Sequence, residues 1–269
     1  MTVFKYRGEM MMEQKIPKII HYFWFGGNSL PEDVKKCMES WKKFCPEYQI
    51  IRWDESNYDY RKNQYMREAY ESKKWSFVSD YARMDIMYQY GGVYLDTDVE
   101  LIQPLDELLQ YNAFMGFEGN YINLGLGFGA RPGIPELKEL MSQYDHLSFI
   151  LKDGTLNLKP ITRYTNEYLV TKGFVADGSR QTIGNLEIFP KDYFCPMDYY
   201  SRVCNITEHT FSIHHCAASW WGEEEEKAYL KEVKLRENHL WLWRVRNGFR
   251  TLKTEGMGSL LKKIRNMKS

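Results

Sequence analysis

The chain has 269 residues, of which 43% are hydrophobic, 16% aromatic and 27% charged, with a formal net charge of zero at pH 7. That length accommodates one large α/β domain or two small ones around a sizeable core, and the neutral balance gives no global basic field of the kind that nucleic-acid binding exploits. No apolar run approaches the roughly eighteen residues needed to span a bilayer, and no secretory pattern opens the chain. The five cysteines show no two-residue gap of a zinc or thioredoxin-like pair, so the sequence reads as a reduced, cytoplasmic protein.

Residues 1–15 read as a leader of little structural weight. IPKIIHYFWFGG (16–27) predicts a buried first strand ending in a glycine turn. Ser29 and Glu32 have capping-box spacing, and Val34, Cys37, Trp41 and Phe44 follow at helical intervals, predicting an amphipathic helix over 30–44. YQIIRWD (48–54) predicts a second strand, and this opening favours a sheet with helices packed on it. Helices are expected at 62–74 and, more strongly, at 76–90, where Gly91 and Gly92 supply a stop. Strands are expected at 93–95, 113–118 and 124–130, with VELI (99–102) carrying the chain onward, and helices at 135–144 and 161–172. Residues 186–199 mix a strand with proline-interrupted loop, and FSIHH (211–215) reads as the last core strand. The expectation is one catalytic domain over 16–222, followed by an extension over 223–269. After Glu226 that extension carries twelve Lys/Arg against three Asp/Glu, and it reads as a basic helical tail.

The densest information lies between Ser79 and Glu100. Asp80 and Arg83 are three apart and share a helix face. After the Gly-Gly stop, a short apolar strand delivers Asp96 and Asp98, which point the same way on an extended backbone. Two carboxylates at a strand end suit a hard divalent cation and the diphosphate oxygens it would neutralise. A bare D-x-D is also a common solvated turn, and it is the surrounding residues that make this one specific.

IIHYFWFGG, WSFVSDYARMDIMYQYGGVYLDTDVE and SIHHCAASWW together resemble glycosyltransferase family 32, the sugar transferases with a DXD motif, over residues 16–222. The resemblance implies a GT-A-type fold, a nucleotide-sugar donor, retention at the anomeric carbon and a Mn2+ or Mg2+ cofactor. It implies that Asp98 is the principal metal ligand and that Asp96 contacts the donor, partly through the metal. Asp80 and Arg83 match the S-D-x-x-R element that binds donor hydroxyls and phosphate. Trp24 would stack on the donor base, Ser219 and Trp220 would close over the diphosphate, and His214 sits where similar enzymes place a histidine near the metal. Where many relatives carry Thr-Gly-Pro, this chain reads KPITRYT (159–165), so that region supports no inference about the acceptor.

Plainer readings stand beside these. Trp24 could be core packing, and Arg83 could pair with Asp80 or Asp85 on its own helix. His214 and His215 point to opposite faces of a strand, so at most one approaches a metal, and His214 is preferred. Glu118 is a candidate for stabilising charge at the anomeric carbon. Asn123 could line an acceptor pocket or shape a turn. LWLWRVRNGF (240–249) and SLLKKIRNMK (259–268) have the pattern of an interfacial helix attracted to anionic lipid, which would suit a lipid-linked glycan acceptor and a place at the cytoplasmic face of a membrane. They would equally suit a helix packed on the catalytic domain. The donor expected by similarity to the bacterial members is a UDP-sugar, in surface or capsular polysaccharide synthesis, whereas GDP-mannose fits the fungal branch. A DxD phosphohydrolase is disfavoured because Glu100 stands where such enzymes place Thr or Val. A non-catalytic carbohydrate-binding protein is disfavoured by length and by the lack of a repeat.

Overall fold

The computed structural model describes residues 15–197 and 203–216, with Lys231, Leu235 and His239 beyond them. The chain divides into two units, Met1–Ala217 and Ala218–Ser269, and every element named below belongs to the first. Residues 1–14 of the leader, all but three residues of the basic tail, Ser219 and Trp220 lie outside the described residues.

Among the described residues of the first unit, ten strands form: β1 (Ile19–Phe23), β2 (Gln49–Trp53), β3 (Gly92–Tyr94), β4 (Val99–Leu101), β5 (Ala113–Phe117), β6 (Ile122–Asn123), β7 (Phe128–Ala130), β8 (Gln181–Ile183), β9 (Leu186–Phe189) and β10 (Ser212–His214). Five α-helices accompany them: α1 (Glu32–Phe44), α2 (Gln64–Glu71), α3 (Trp75–Tyr90), α4 (Pro135–Ser142) and α5 (Ile161–Thr171). The main sheet has the order β2-β1-β3-β7-β5-β9-β8, with β6 attached to β5. β1 is parallel to β2 and β3, and β5 is parallel to β9, while β7 runs antiparallel to both its neighbours. This is a mixed α/β sheet flanked by helices, as the sequence led us to expect.

Side-chain alternation along the strands builds a separate core on each face. From β5, Ala113, Met115 and Phe117 enter one core and Phe114 the other. The first core also takes residues of α2, α3, α4 and α5, and the second takes Trp41 of α1 and Val99 and Leu101 of β4. Helix α3 lies deep in the molecule, with ten of its sixteen residues buried, including Asp80, Arg83 and Asp85. Asp85 is satisfied by Lys62, by the Tyr58 hydroxyl at 2.8 Å and by Gln89 at 2.8 Å. It takes no part in the Arg83 network.

Several expectations need correction. Helix α1 begins at Glu32 behind Pro31, with no side-chain cap, so the Ser29–Glu32 capping box does not form. The expected helix at 62–74 is a short 3-10 turn at Tyr60–Lys62 followed by α2, separated by Asn63, whose side chain caps α2 by accepting from the Met66 N–H. Within 124–130 only Phe128–Ala130 is strand. β8 was not anticipated. β4 and β10 pair antiparallel in a small sheet of their own, so 211–215 does not supply a strand of the main sheet. The stop after α3 has a further cause beyond helix termination. Gly91 and Gly92 have φ of 65° and 105°, and a Cβ on Gly92 would come within 2.7 Å of the Ile19 carbonyl oxygen. The chain there passes too close to β1 for any side chain.

His21 on β1 fastens this junction. The indole N–H of Trp53 on β2 donates to Nδ1 at 3.0 Å, so Nε2 carries the proton and donates to the Gly91 carbonyl at 2.9 Å. The ring is fully buried, and desolvation, only partly offset by the Gly91 bond, lowers its pKa from 6.5 to about 4. The neutral ring is therefore the folded form, and its stabilisation is present above pH 6.5 and lost as pH falls from there towards about 4. Urea unfolding of the wild type across this window should show a loss of up to about 3 kcal/mol from this residue. His21→Gln should lack that component, and parallel pH profiles for the two proteins would refute the assignment.

Candidate active site

The carboxyl ends of β1, β3 and β5 bring Trp24, Asp96 and Glu118 to one edge of the sheet, where an open α/β sheet places its ligands. At the centre is Arg83, whose side chain is only 5% exposed. Its guanidinium meets Asp80 Oδ1 at 3.4 Å and Asp96 Oδ1 at 3.3 Å, and it donates to the Ser79 hydroxyl at 2.8 Å and the Ser79 carbonyl at 3.1 Å. It also lies 4.8 Å from the centroid of the Tyr94 ring, within cation–π range. The Tyr94 hydroxyl donates to Asp96 Oδ1 at 2.7 Å.

Asp80 has a structural task as well. It accepts from the backbone N–H of Ile161, the first residue of α5, where the N-cap residue Pro160 provides no side-chain bond. Its carboxylate therefore serves the positive end of that helix. Burial raises its pKa to about 7, with Asp96 adding to the rise and Arg83 opposing it. The hydroxyls of Tyr65, Tyr144 and Thr165 are buried with no hydrogen-bond partner among the described residues, and both tyrosines lie within electrostatic reach of Asp80. Buried hydroxyls left unpaired are costly, so this layer suits water or the hydroxyls of a ligand.

Asp96, Asp98 and His214 each bring one ligand atom to within 4.8 Å of the others. β4 and β10 create this meeting: the His215 backbone N–H donates to the Asp98 carbonyl at 3.0 Å, and His214 Nε2 lies 3.3 Å from Asp98 Oδ1. Burial would discharge the His214 ring, but Asp98, Cys216 and Glu118 together outweigh it and raise its pKa. His215 points away and pairs with Glu100 at 2.9 Å on the surface. Two carboxylates and one imidazole form a donor set that fits Mn2+ or Mg2+.

Glu118 and Asn123 support this group from behind. Burial opposes ionisation of Glu118, but hydrogen bonds from His214, Tyr121 and Asn123 prevail and lower its pKa to about 2. Asn123 donates to Glu118 at 3.0 Å and accepts from the Gly125 N–H at 2.8 Å, so both ends of its amide shape the turn between β6 and β7. Trp24 is half-buried, packs against the second core and donates its indole N–H to the Asn28 carbonyl at 2.7 Å.

Four contributors escaped the sequence reading. Tyr94 precedes Asp96 by two residues on an extended chain, and that alternation could have shown a shared face. Gly125 makes room for Asp96: a Cβ there would lie 1.9 Å from Asp96 Oδ2. Cys195 and Cys216 stand 21 positions apart, and no local spacing joins them.

The sequence description "glycosyltransferase sugar-binding region containing DXD motif" matches residues 31–115. Inositol phosphoceramide mannosyltransferase 3 of Schizosaccharomyces pombe is 36% identical over 104 residues, which are 37% of this chain and 29% of that protein. The chain thus spans under a third of that relative's length. An uncharacterised glycosyltransferase of Acanthamoeba polyphaga mimivirus is 25% identical over 220 residues, covering 77% of this chain and 84% of its own. Among solved structures, the PaToxG glycosyltransferase superposes with a TM-score of 0.46 at 15% identity, over 58% of this chain and 68% of its own. Residues 31–115, which contain Asp80, Arg83, Asp96 and Asp98, are thus similar to the sugar-binding region of glycosyltransferases that carry a DXD motif.

Proposed function

We propose that this protein transfers a sugar, with retention, from a nucleoside-diphosphate sugar to a hydroxyl of a glycan or glycolipid acceptor. The observation that carries the reading is the convergence of Asp96, Asp98 and His214 beside the buried Asp80–Arg83 pair at the carboxyl edge of the parallel strands. A divalent cation held by Asp96 and Asp98, with His214 at their side, would supply Lewis-acid charge to the departing diphosphate. Arg83 holds Asp96 in place and adds fixed positive charge that needs no reorganisation during reaction. Asp80 is set to accept from donor hydroxyls, and Trp24 to offer a flat face to the base. Glu118 is committed to His214, Tyr121 and Asn123, so this reading gives it no nucleophilic role and favours same-face attack beside the leaving group.

A UDP-sugar is the favoured donor, and the mannosyltransferase names among the relatives make GDP-mannose the second to try. The ceramide in those names supports a lipid-linked acceptor, and with it a place at the cytoplasmic face of a membrane for the basic segment after Glu226.

The primary test is a thermal-shift panel of nucleoside diphosphates and their sugars, with and without Mn2+. A ligand at 100 times its Kd should raise stability by about 2.7 kcal/mol, and the correct donor should do so only with the ion. No shift with any nucleotide would sink the proposal. Asp98→Asn should keep the folded far-ultraviolet spectrum and lose turnover by about 10² to 10³-fold, and wild-type turnover would remove Asp98 from the machinery. Gly125→Ala leaves the backbone unstrained but displaces the Asp96 carboxylate. Its affinity for nucleoside diphosphate with Mn2+ should fall by about 10 to 100-fold by calorimetry, and unchanged affinity would show that Asp96 does not touch that complex. Replacing Lys262, Lys263 and Arg265 by Gln should weaken sedimentation with anionic liposomes by about a hundredfold, and equal binding would remove the tail from the account.

A further inference from the structure

Immediately behind His214 lies a second group of ligand atoms that the transfer reaction does not use. Glu118, Cys195, His214 and Cys216 each bring one ligand atom to within 4.8 Å of the others. The three separations that define its near side are 3.1 Å from Nδ1 to Oε1, 3.3 Å from Nδ1 to the Cys216 sulfur, and 3.5 Å from that sulfur to Oε1. A tetrahedral zinc ion with ordinary bond lengths needs edges of roughly 3.3 to 3.8 Å between sulfur, nitrogen and oxygen ligands. The side chains thus stand close to the corners that such an ion would occupy.

The backbone supplies an independent observation. Cys216 has φ of 51°, and among the described residues only Lys73 shares a positive φ without being glycine. A cysteine adopts that sparsely populated conformation only where its surroundings over-determine it. Here it turns the sulfur inward against His214 and Glu118 rather than towards solvent. The ligands come from three separate segments: the end of β5, the stretch after β9 and the end of β10.

We propose that Glu118, Cys195, His214 and Cys216 form a closed, four-ligand site for zinc, which clamps these three segments together behind the Asp96–Asp98 pair. The thiols and the soft, borderline character of the set select zinc over Mn2+ or Mg2+. On binding, each thiol releases its proton to solvent and ligates as thiolate. The two sites share the His214 ring. Zinc at Nδ1 leaves Nε2 facing Asp98 Oδ1, 3.3 Å away, on the side of the first site. The site goes beyond the proposed transfer reaction and stands independently of it, because its test reads metal content and not turnover.

The full-length chain, purified under reducing conditions and dialysed with zinc alone, should retain about one zinc per chain by atomic emission. Asp98→Asn, which leaves the partners of Arg83 in place, should retain it equally. Cys195→Ser/Cys216→Ser should bind zinc at least about a hundredfold more weakly. Cobalt added to the metal-free wild type should give thiolate-to-cobalt charge-transfer absorption in the near ultraviolet and the intense visible bands of a tetrahedral ion. The cobalt spectrum keeps the question decidable should the cysteine variant fail to fold. A wild-type chain that retains no zinc, zinc lost in the aspartate variant, or cobalt without thiolate absorption would each overturn the site.

Discussion

A guanidinium taken almost entirely out of water dominates this molecule. Burying a charge costs several kcal/mol after relaxation, and only close partners restore the balance. Arg83 finds them in Asp80 on its own helix, Asp96 beyond β3 and the face of Tyr94. Because these partners sit on different elements, the electrostatic need of one side chain fixes α3 against the strand end. The same need brings the DxD carboxylate to its working position. Stability and site geometry are consequently one problem here: truncating either aspartate leaves the arginine undercompensated in the interior.

The second constraint is close backbone approach. Gly92 lets the chain pass against β1, and Gly125 lets the turn before β7 lie against Asp96. At Gly92 the backbone conformation and the neighbouring carbonyl both exclude a side chain. At Gly125 the chief obstacle is the Asp96 carboxylate, with Asn123 Oδ1 next at 3.2 Å. Glycine at 125 therefore belongs to the site, and glycine at 92 to the fold.

Much of the fold was legible because its signals are local. The alternation of β1 and β5 and the glycine stop after α3 each lie within one segment. The Asp80–Arg83 spacing and the Asp96–Asp98 alternation were legible for the same reason. What was not legible depends on distant partners. Whether 211–215 joins the main sheet turns on where β4 goes, and β4 follows a backbone turn closed by the Val99 N–H on the Asp96 carbonyl at 3.1 Å. The capping-box residues were read correctly as a pattern, but Pro31 fixes the start of α1 three residues beyond the expected cap at Ser29's side of the turn. The commitment of Glu118 to His214 could not be seen, because the two lie 96 positions apart.

The ribbon of β4 and β10 has only two strands, a size that is marginal on its own in water. Its outer edge is covered by α1: the Trp41 indole donates to the Val99 carbonyl at 2.7 Å, and the Ser40 hydroxyl accepts from the Leu101 N–H at 2.9 Å. An edge sealed in this way offers no template for strand addition from another chain. It also ties the segment just after Asp98 to a helix whose tryptophan is fully buried. The Leu101 amide should therefore exchange with solvent only when α1 itself departs, which makes the strand just after the DxD turn part of a slow-opening unit rather than a mobile rim.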